Sequence, residues 1–113
     1  MYNIIVLRDR IKERRVRTMA RYLYSKSVAG HDYAQAHENF FDDGTVQLVS
    51  YRTVVIEITP EGWLSCTGTY SMTTIKHIGW FMRERGFTYY LAKQMYLDGK
   101  EFNIHTGECR DRA

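Results

Sequence analysis

The side chains able to do chemistry are few, and most stand apart from one another. Cys66 and His77 are the one pair that a strand and the helix after it could bring together as a nucleophile and its base. His105 and Cys109 form an H-x-x-x-C pair with the spacing of half a zinc site, and Cys66 with His77, or His31 with His37, would have to complete it. No phosphate loop of the G-x-x-x-x-G-K-[ST] type, no G-x-G-x-x-G, no H-E-x-x-H and no G-x-S-x-G is present. The acidic residues are scattered, with Glu57 alone inside an expected strand, so no paired-carboxylate site can be argued. These absences predict a protein that is not an enzyme and needs no cofactor, with zinc the one metal that the H-x-x-x-C spacing suggests.

The most specific surface feature is charge. Residues 8–26 carry eight basic side chains against two acidic ones, while the whole chain of 113 residues has a formal net charge of only +3. The basic N-terminal third is therefore balanced by an acidic remainder. If Asp9 caps a helix over about 10–25, then Val16, Met19, Ala20 and Leu23 share its inner face, and Arg10, Arg14, Arg17 and Arg21 share the outer one. Four guanidinium groups in a row suit phosphates or the carboxylates of an acidic partner. Tyr22 and Tyr24 beside Arg21 offer stacking, and Trp80, off the expected inner line of its helix, offers an aromatic anchor. The plain alternative is a solvated helix face whose arginines pair with the molecule's own acids.

The elements that must position these groups follow from periodicity and turn chemistry. Tyr2 to Leu7 reads as a strand or as the first turns of a longer helix, and the strand is favoured. Asp32 can cap a helix to about Phe41, with Tyr33, Ala36 and Phe40 inward. Strands are expected over Thr45 to Tyr51 and Thr53 to Thr59, with a tight turn near Ser50 to Arg52. The Thr59-Pro60-Glu61-Gly62 turn then returns the chain as Trp63 to Tyr70. Ser71 or Thr73 caps a helix carrying Ile75, Ile78 and Met82, stopped by Gly86. Thr88 starts another that Gly99 ends, Glu101 to His105 forms a last strand, and 107–113 frays. The expected architecture is α+β in a single domain: a small antiparallel sheet of three to five strands covered on one face by three or four helices.

Composition agrees with one compact domain, at 44% hydrophobic and 26% charged residues. No apolar run approaches the ~20 residues of a membrane span. The four-residue run Ile4 to Leu7, followed by Arg8 and Asp9, is no secretory signal, so a soluble, cytoplasmic protein is expected.

Two segments also carry a resemblance. Ser50-Tyr51-Arg52-Thr53-Val54-Val55 and Tyr70-Ser71-Met72-Thr73-Thr74-Ile75-Lys76-His77-Ile78 fit a pattern S-Y-x-T-x-V followed by Y-S-x-T-T-x-x-H-I. This resembles a small uncharacterised domain of gut bacteria and their phages, covering about a third of the chain. The resemblance implies a strand, hairpin and capped-helix unit, with Thr73, Thr74 and His77 at its most characteristic positions, and no assigned activity. Together with the charge row it leads to the expectation of a non-enzymatic binding protein of a phage or mobile element in a host cell. Such a protein would inhibit a host protein or ribonucleoprotein such as a CRISPR nuclease, in the manner of an anti-CRISPR. The alternative is a DNA- or RNA-binding regulator that uses the basic N-terminal helix.

Overall fold

The computed structural model describes residues 20–68 and 71–112. Their frame is a single antiparallel sheet of seven strands whose spatial order follows the chain. In that order they are β1 (Tyr22–Ser27), β2 (Ala36–Phe41), β3 (Val46–Ser50), β4 (Thr53–Ile58), β5 (Trp63–Cys66), β6 (Lys100–Asn103) and β7 (Cys109–Asp111). Two helices interrupt the meander between β5 and β6, namely α1 (Met72–Glu84) and α2 (Tyr89–Asp98).

Local chemistry explains the order. The turn after β4 closes through Gly62 N–H donating to the Thr59 carbonyl at 2.9 Å, with Gly62 at φ +98°. A side chain is excluded there twice over, since a Cβ on Gly62 would lie 2.5 Å from His105 Cδ2. Ser71 caps α1 by accepting the Thr74 amide, and Thr88 caps α2 by accepting the Leu91 amide. Gly99, at φ +65°, ends α2 in the left-handed conformation that helix termini favour.

Strand alternation puts one row of side chains under the helices. Leu48, Ile56 and Cys66 pair across β3, β4 and β5, as do Ile58 and Leu64, and all five are buried. Ile78, Phe81 and Met82 of α1 and Ala92 of α2 complete this core, fully removed from solvent.

Four expectations are corrected. The sheet has seven strands and the described residues hold two α-helices, so the protein is sheet-rich and not a small sheet under three or four helices. The helix expected over 32–41 is the strand β2 for most of its length. Its inward positions are Ala36 and Glu38, and a carboxylate inside hides the apolar alternation that would have announced a strand. Glu38 is tolerated because Arg85, the residue that caps the C-terminus of α1, donates to its Oε1 at 2.7 Å and lays its guanidinium 3.8 Å over the Phe81 ring. The helix expected over 10–25 is strand β1 from Tyr22 onward, and Leu23, expected inside, is 54% exposed. Its part at 10–19, with Arg10, Arg14 and Arg17, lies outside the described residues. The tail expected to fray forms β7, held to β6 by Lys100–Asp111 and Arg110–Glu101 ion pairs and to β5 by Arg110 over the Trp63 ring.

No helix among the described residues is long and apolar enough to cross a membrane.

Glu38 is fully buried, and its second oxygen has no hydrogen-bond partner among the described residues. Removing Arg85 alone would leave that carboxylate uncompensated, whereas removing both partners would leave a smaller, apolar defect. Arg85→Met should lower unfolding free energy by about 3 kcal/mol, and the double variant Glu38→Leu/Arg85→Met by clearly less. Urea titrations of both variants and the parent check this; a double variant at least as unstable as the single one would contradict it.

Candidate functional site

The hairpin between β3 and β4 and the start of α1 meet in a buried polar cluster. Ser50 Oγ lies 2.8 Å from His77 Nδ1 and 3.0 Å from Thr74 Oγ1. Ser71 donates its hydroxyl to Thr74 Oγ1 at 3.3 Å and accepts the Thr74 amide at 3.2 Å. Ser50, Thr74 and His77 are 2%, 4% and 1% exposed. Ser71 donates to Thr74, while either partner can donate in the Thr74–Ser50 and Ser50–His77 contacts; with one proton per hydroxyl, a chain of donors from Ser71 through Thr74 and Ser50 to His77 Nδ1 is one arrangement that satisfies all four groups. In that arrangement the imidazole is neutral, with its proton on Nε2. Burial, with Lys76 adding to it, holds the His77 pKa below the ordinary 6.5, which favours the neutral ring.

Next to Ser50 the backbone is strained. Ser50 pairs with Thr53, so Tyr51 and Arg52 form a two-residue turn, and Tyr51 stands at φ +59°. That first position of a hairpin turn usually belongs to Gly, and a non-Gly residue there costs on the order of 1–3 kcal/mol. The surroundings hold it: the Tyr51 amide donates to the Gln35 carbonyl at 2.7 Å, and the ring stands 5.9 Å from that of His77. Tyr51 itself is 51% exposed. The aromatic contacts continue along this end of the molecule. Trp80 lies 5.7 Å from His77 and stacks on His31 at 3.7 Å, and His31 Nδ1 is 3.0 Å from the Tyr33 hydroxyl. Beside Tyr51 a cleft of about 480 Å3 opens, lined by the end of β1, residues 34–37 and Asp32.

The residues singled out from sequence fall into separate places. Tyr22 packs edge-on against Phe41, and Tyr24 stacks on Phe40 at 4.8 Å, both remaining half exposed on β1. Arg21 is exposed, but its amide is bonded to Asp42 and its guanidinium lies 3.7 Å from the same carboxylate. Trp80 is half-buried in its stack and is not a free anchor. Cys66 is fully buried and donates to the Gly68 carbonyl, with burial pushing its thiol pKa up, while His77 is bonded to Ser50. The proposed nucleophile and base are each engaged elsewhere. His105 sits over Gly62, and Cys109 is exposed on β7. No group of three or more His, Cys, Asp or Glu that could hold a metal occurs among the described residues.

The sequence predicts the tight turn near Ser50 to Arg52 but assigns Ser50 and Tyr51 no part in a site.

A lowered His77 pKa means that the unfolded chain takes up a proton there before the folded protein does. Stability is therefore whole above the ordinary histidine pKa of 6.5 and falls as pH drops through it toward the folded value. Urea unfolding between about pH 8 and pH 5 should show this fall, and His77→Gln should flatten the part that belongs to His77. Parallel pH curves for parent and variant would contradict it. Thr74→Val leaves Ser71 free to cap α1 but removes the hydroxyl bonded to Ser50. It should cost about 1–3 kcal/mol in the same assay.

No curated protein and no solved structure matches the chain. Residues 16–103 match the model of a family described as a family of unknown function, DUF8033. The match takes in β1 to β6 with both helices, and therefore the whole Ser71–Thr74–Ser50–His77 cluster and Tyr51. The chain belongs to DUF8033.

Proposed function

We propose that the protein is a non-enzymatic binding protein that acts by occupying a surface of a host protein or ribonucleoprotein. One observation carries this reading: the hydroxyl and imidazole of Ser50 and His77 are closed off, while the strained residue that follows Ser50 faces solvent. Ser50 is 2% and His77 1% exposed, out of reach of a substrate, and Tyr51 is 51% exposed. A site that spends backbone strain on presenting a rigid, amphipathic ring is suited to recognition. Tyr33, at 79% exposure, and the half-exposed Tyr22 and Tyr24 are further exposed aromatic side chains of the kind that anchors interfaces. An inhibitor carried by a phage or mobile element against a host nuclease is the most concrete form of this reading. Its support is the division of charge along the sequence.

A second reading, a nucleic-acid-binding regulator, draws on the exposed cations Arg21, Lys26 and Arg52 that flank these tyrosines. Its signature is affinity for nucleic acid that falls steeply with salt.

Tyr51→Gly tests the leading reading on two counts. Gly relieves the positive φ and removes the ring, so folding should be stabilised by up to about 1 kcal/mol. Capture of a defined protein partner from nuclease-treated bacterial lysate should be lost at the same time. Capture unchanged by the substitution, or retention that depends on nucleic acid and disappears on nuclease treatment, would overturn the protein-binding reading.

A further inference from the structure

We propose that protonation of His31 fastens the connection between β1 and β2 onto helix α1 through the Trp80 ring, a pH-operated latch that holds one wall of the cleft beside Tyr51. The connection, residues 28–35, leaves the core abruptly. Val28 is fully buried, and Ala29 at φ +47° and Gly30 at φ +78° then turn the chain outward through two successive left-handed residues. Ala29 holds a conformation that alanine avoids, so contacts from outside its own backbone must keep the segment in place. Val28 packs its start into the core, and the Tyr51 amide, donating to the Gln35 carbonyl, ties its end to the hairpin. Between them the His31 ring lies on Trp80 of α1, with ring centroids 3.7 Å apart and planes within 17° of parallel. Asp32, Ala34 and Gln35 of the same segment line the cleft, so what fastens His31 sets the position of that wall.

A neutral imidazole on an indole face is held by packing. An imidazolium in the same place is also drawn to the negative face of the ring, and Trp is the strongest of the aromatic side chains in this respect. The contact with Tyr33 does not oppose the change: its hydroxyl, 3.0 Å from His31 Nδ1, can donate to a bare nitrogen and accept from a protonated one. His31 is only half-buried, so protons reach it. The ionisable groups on the elements around the stack are of both signs. Asp32, bonded to the Ser27 hydroxyl, and Glu84 of α1 favour a cation, and Lys76 and Arg83 of α1 oppose one from exposed positions where solvent screens them. On the strands and the hairpin, Lys26 lies over Phe40, His37 is half-buried, Glu38 is engaged by Arg85 and Arg52 is exposed. His77 lies 5.7 Å from the same indole, and burial holds it toward the neutral form. The two histidines on Trp80 therefore answer a fall in pH with opposite signs: a proton on His31 tightens its contact, and one on His77 costs stability.

The test uses the full chain with Trp63→Phe, which leaves Trp80 as the one tryptophan of the two. An imidazolium in contact with an excited indole quenches it, so emission should fall as pH drops from about 8 to about 5, the range in which histidines change charge. His31→Gln should abolish the fall, and His77→Gln should leave it. Fastening is read separately, from hydrogen exchange corrected for its intrinsic pH dependence. Protection of the His31 and Ala34 amides, which donate within the segment, should rise about two- to fivefold over that range in the parent and not in His31→Gln. His31→Phe keeps a flat ring on Trp80 that takes no proton; it should retain the protection seen at pH 8 and lose the pH response. No quenching, quenching that survives His31→Gln or disappears in His77→Gln, or protection that does not change with pH would each overturn the proposal.

Discussion

Ser50 is where two parts of the chain 27 residues apart meet, and what it bonds there decides how the helical layer sits on the sheet. A serine at the end of a hairpin and a histidine in the second turn of α1 could each bond to water. In the folded protein both are closed off, and each supplies what the other needs, a proton on one side and a lone pair on the other. Thr74 and Ser71 extend the same chain back to the helix cap. One set of hydrogen bonds therefore caps the start of α1 and ties it to the end of β3. The apolar contacts of Ile78, Phe81 and Met82 supply the larger stabilisation, but they tolerate small rotations that directional bonds do not.

This junction also explains how a tyrosine can hold a backbone conformation that most residues avoid. Ser50 is bonded inward by two partners, and Tyr51 is bonded through its own amide to Gln35, so the turn is clamped on both sides of the strained residue. Strain persists only where surroundings over-determine it. The same logic operates at the other polar group in the core. Glu38 remains inside because Arg85 reaches it across the top of Phe81, joining the end of α1 to β2 as Ser50 joins its beginning to β3. The helix is tied at both ends by polar contacts and filled between them by apolar ones.

How much of this could be read from the sequence depends on which residues carried a local signal. The hairpin at Thr59 to Gly62, the cap at Ser71 and the stop at Gly99 are legible because Pro, Gly and Ser act through their own backbone, within a few residues. Strand β2 was illegible because its inward set contains Glu38, whose partner stands 47 residues away, so the pattern makes sense only after folding. Strand β1 was read as helix because Arg21 continued an apparent four-and-three spacing, although Tyr22, Leu23 and Tyr24 favour a pleated surface. β7 escaped notice because ion pairs and one arginine on Trp63 hold it, and none of these has a period. The site failed for the same reason as β2. Ser50, Thr74 and His77 were each visible, and their meeting is a property of the third dimension.

The central claim, a proton-donor chain ending on a neutral imidazole, has a direct spectroscopic readout in the nitrogen-15 chemical shifts of His77 near neutral pH. The account predicts a bare, pyridine-like Nδ1 and a protonated Nε2. A protonated Nδ1, or an imidazolium, would mean that Ser50 accepts rather than donates, and the chain described here would run the other way.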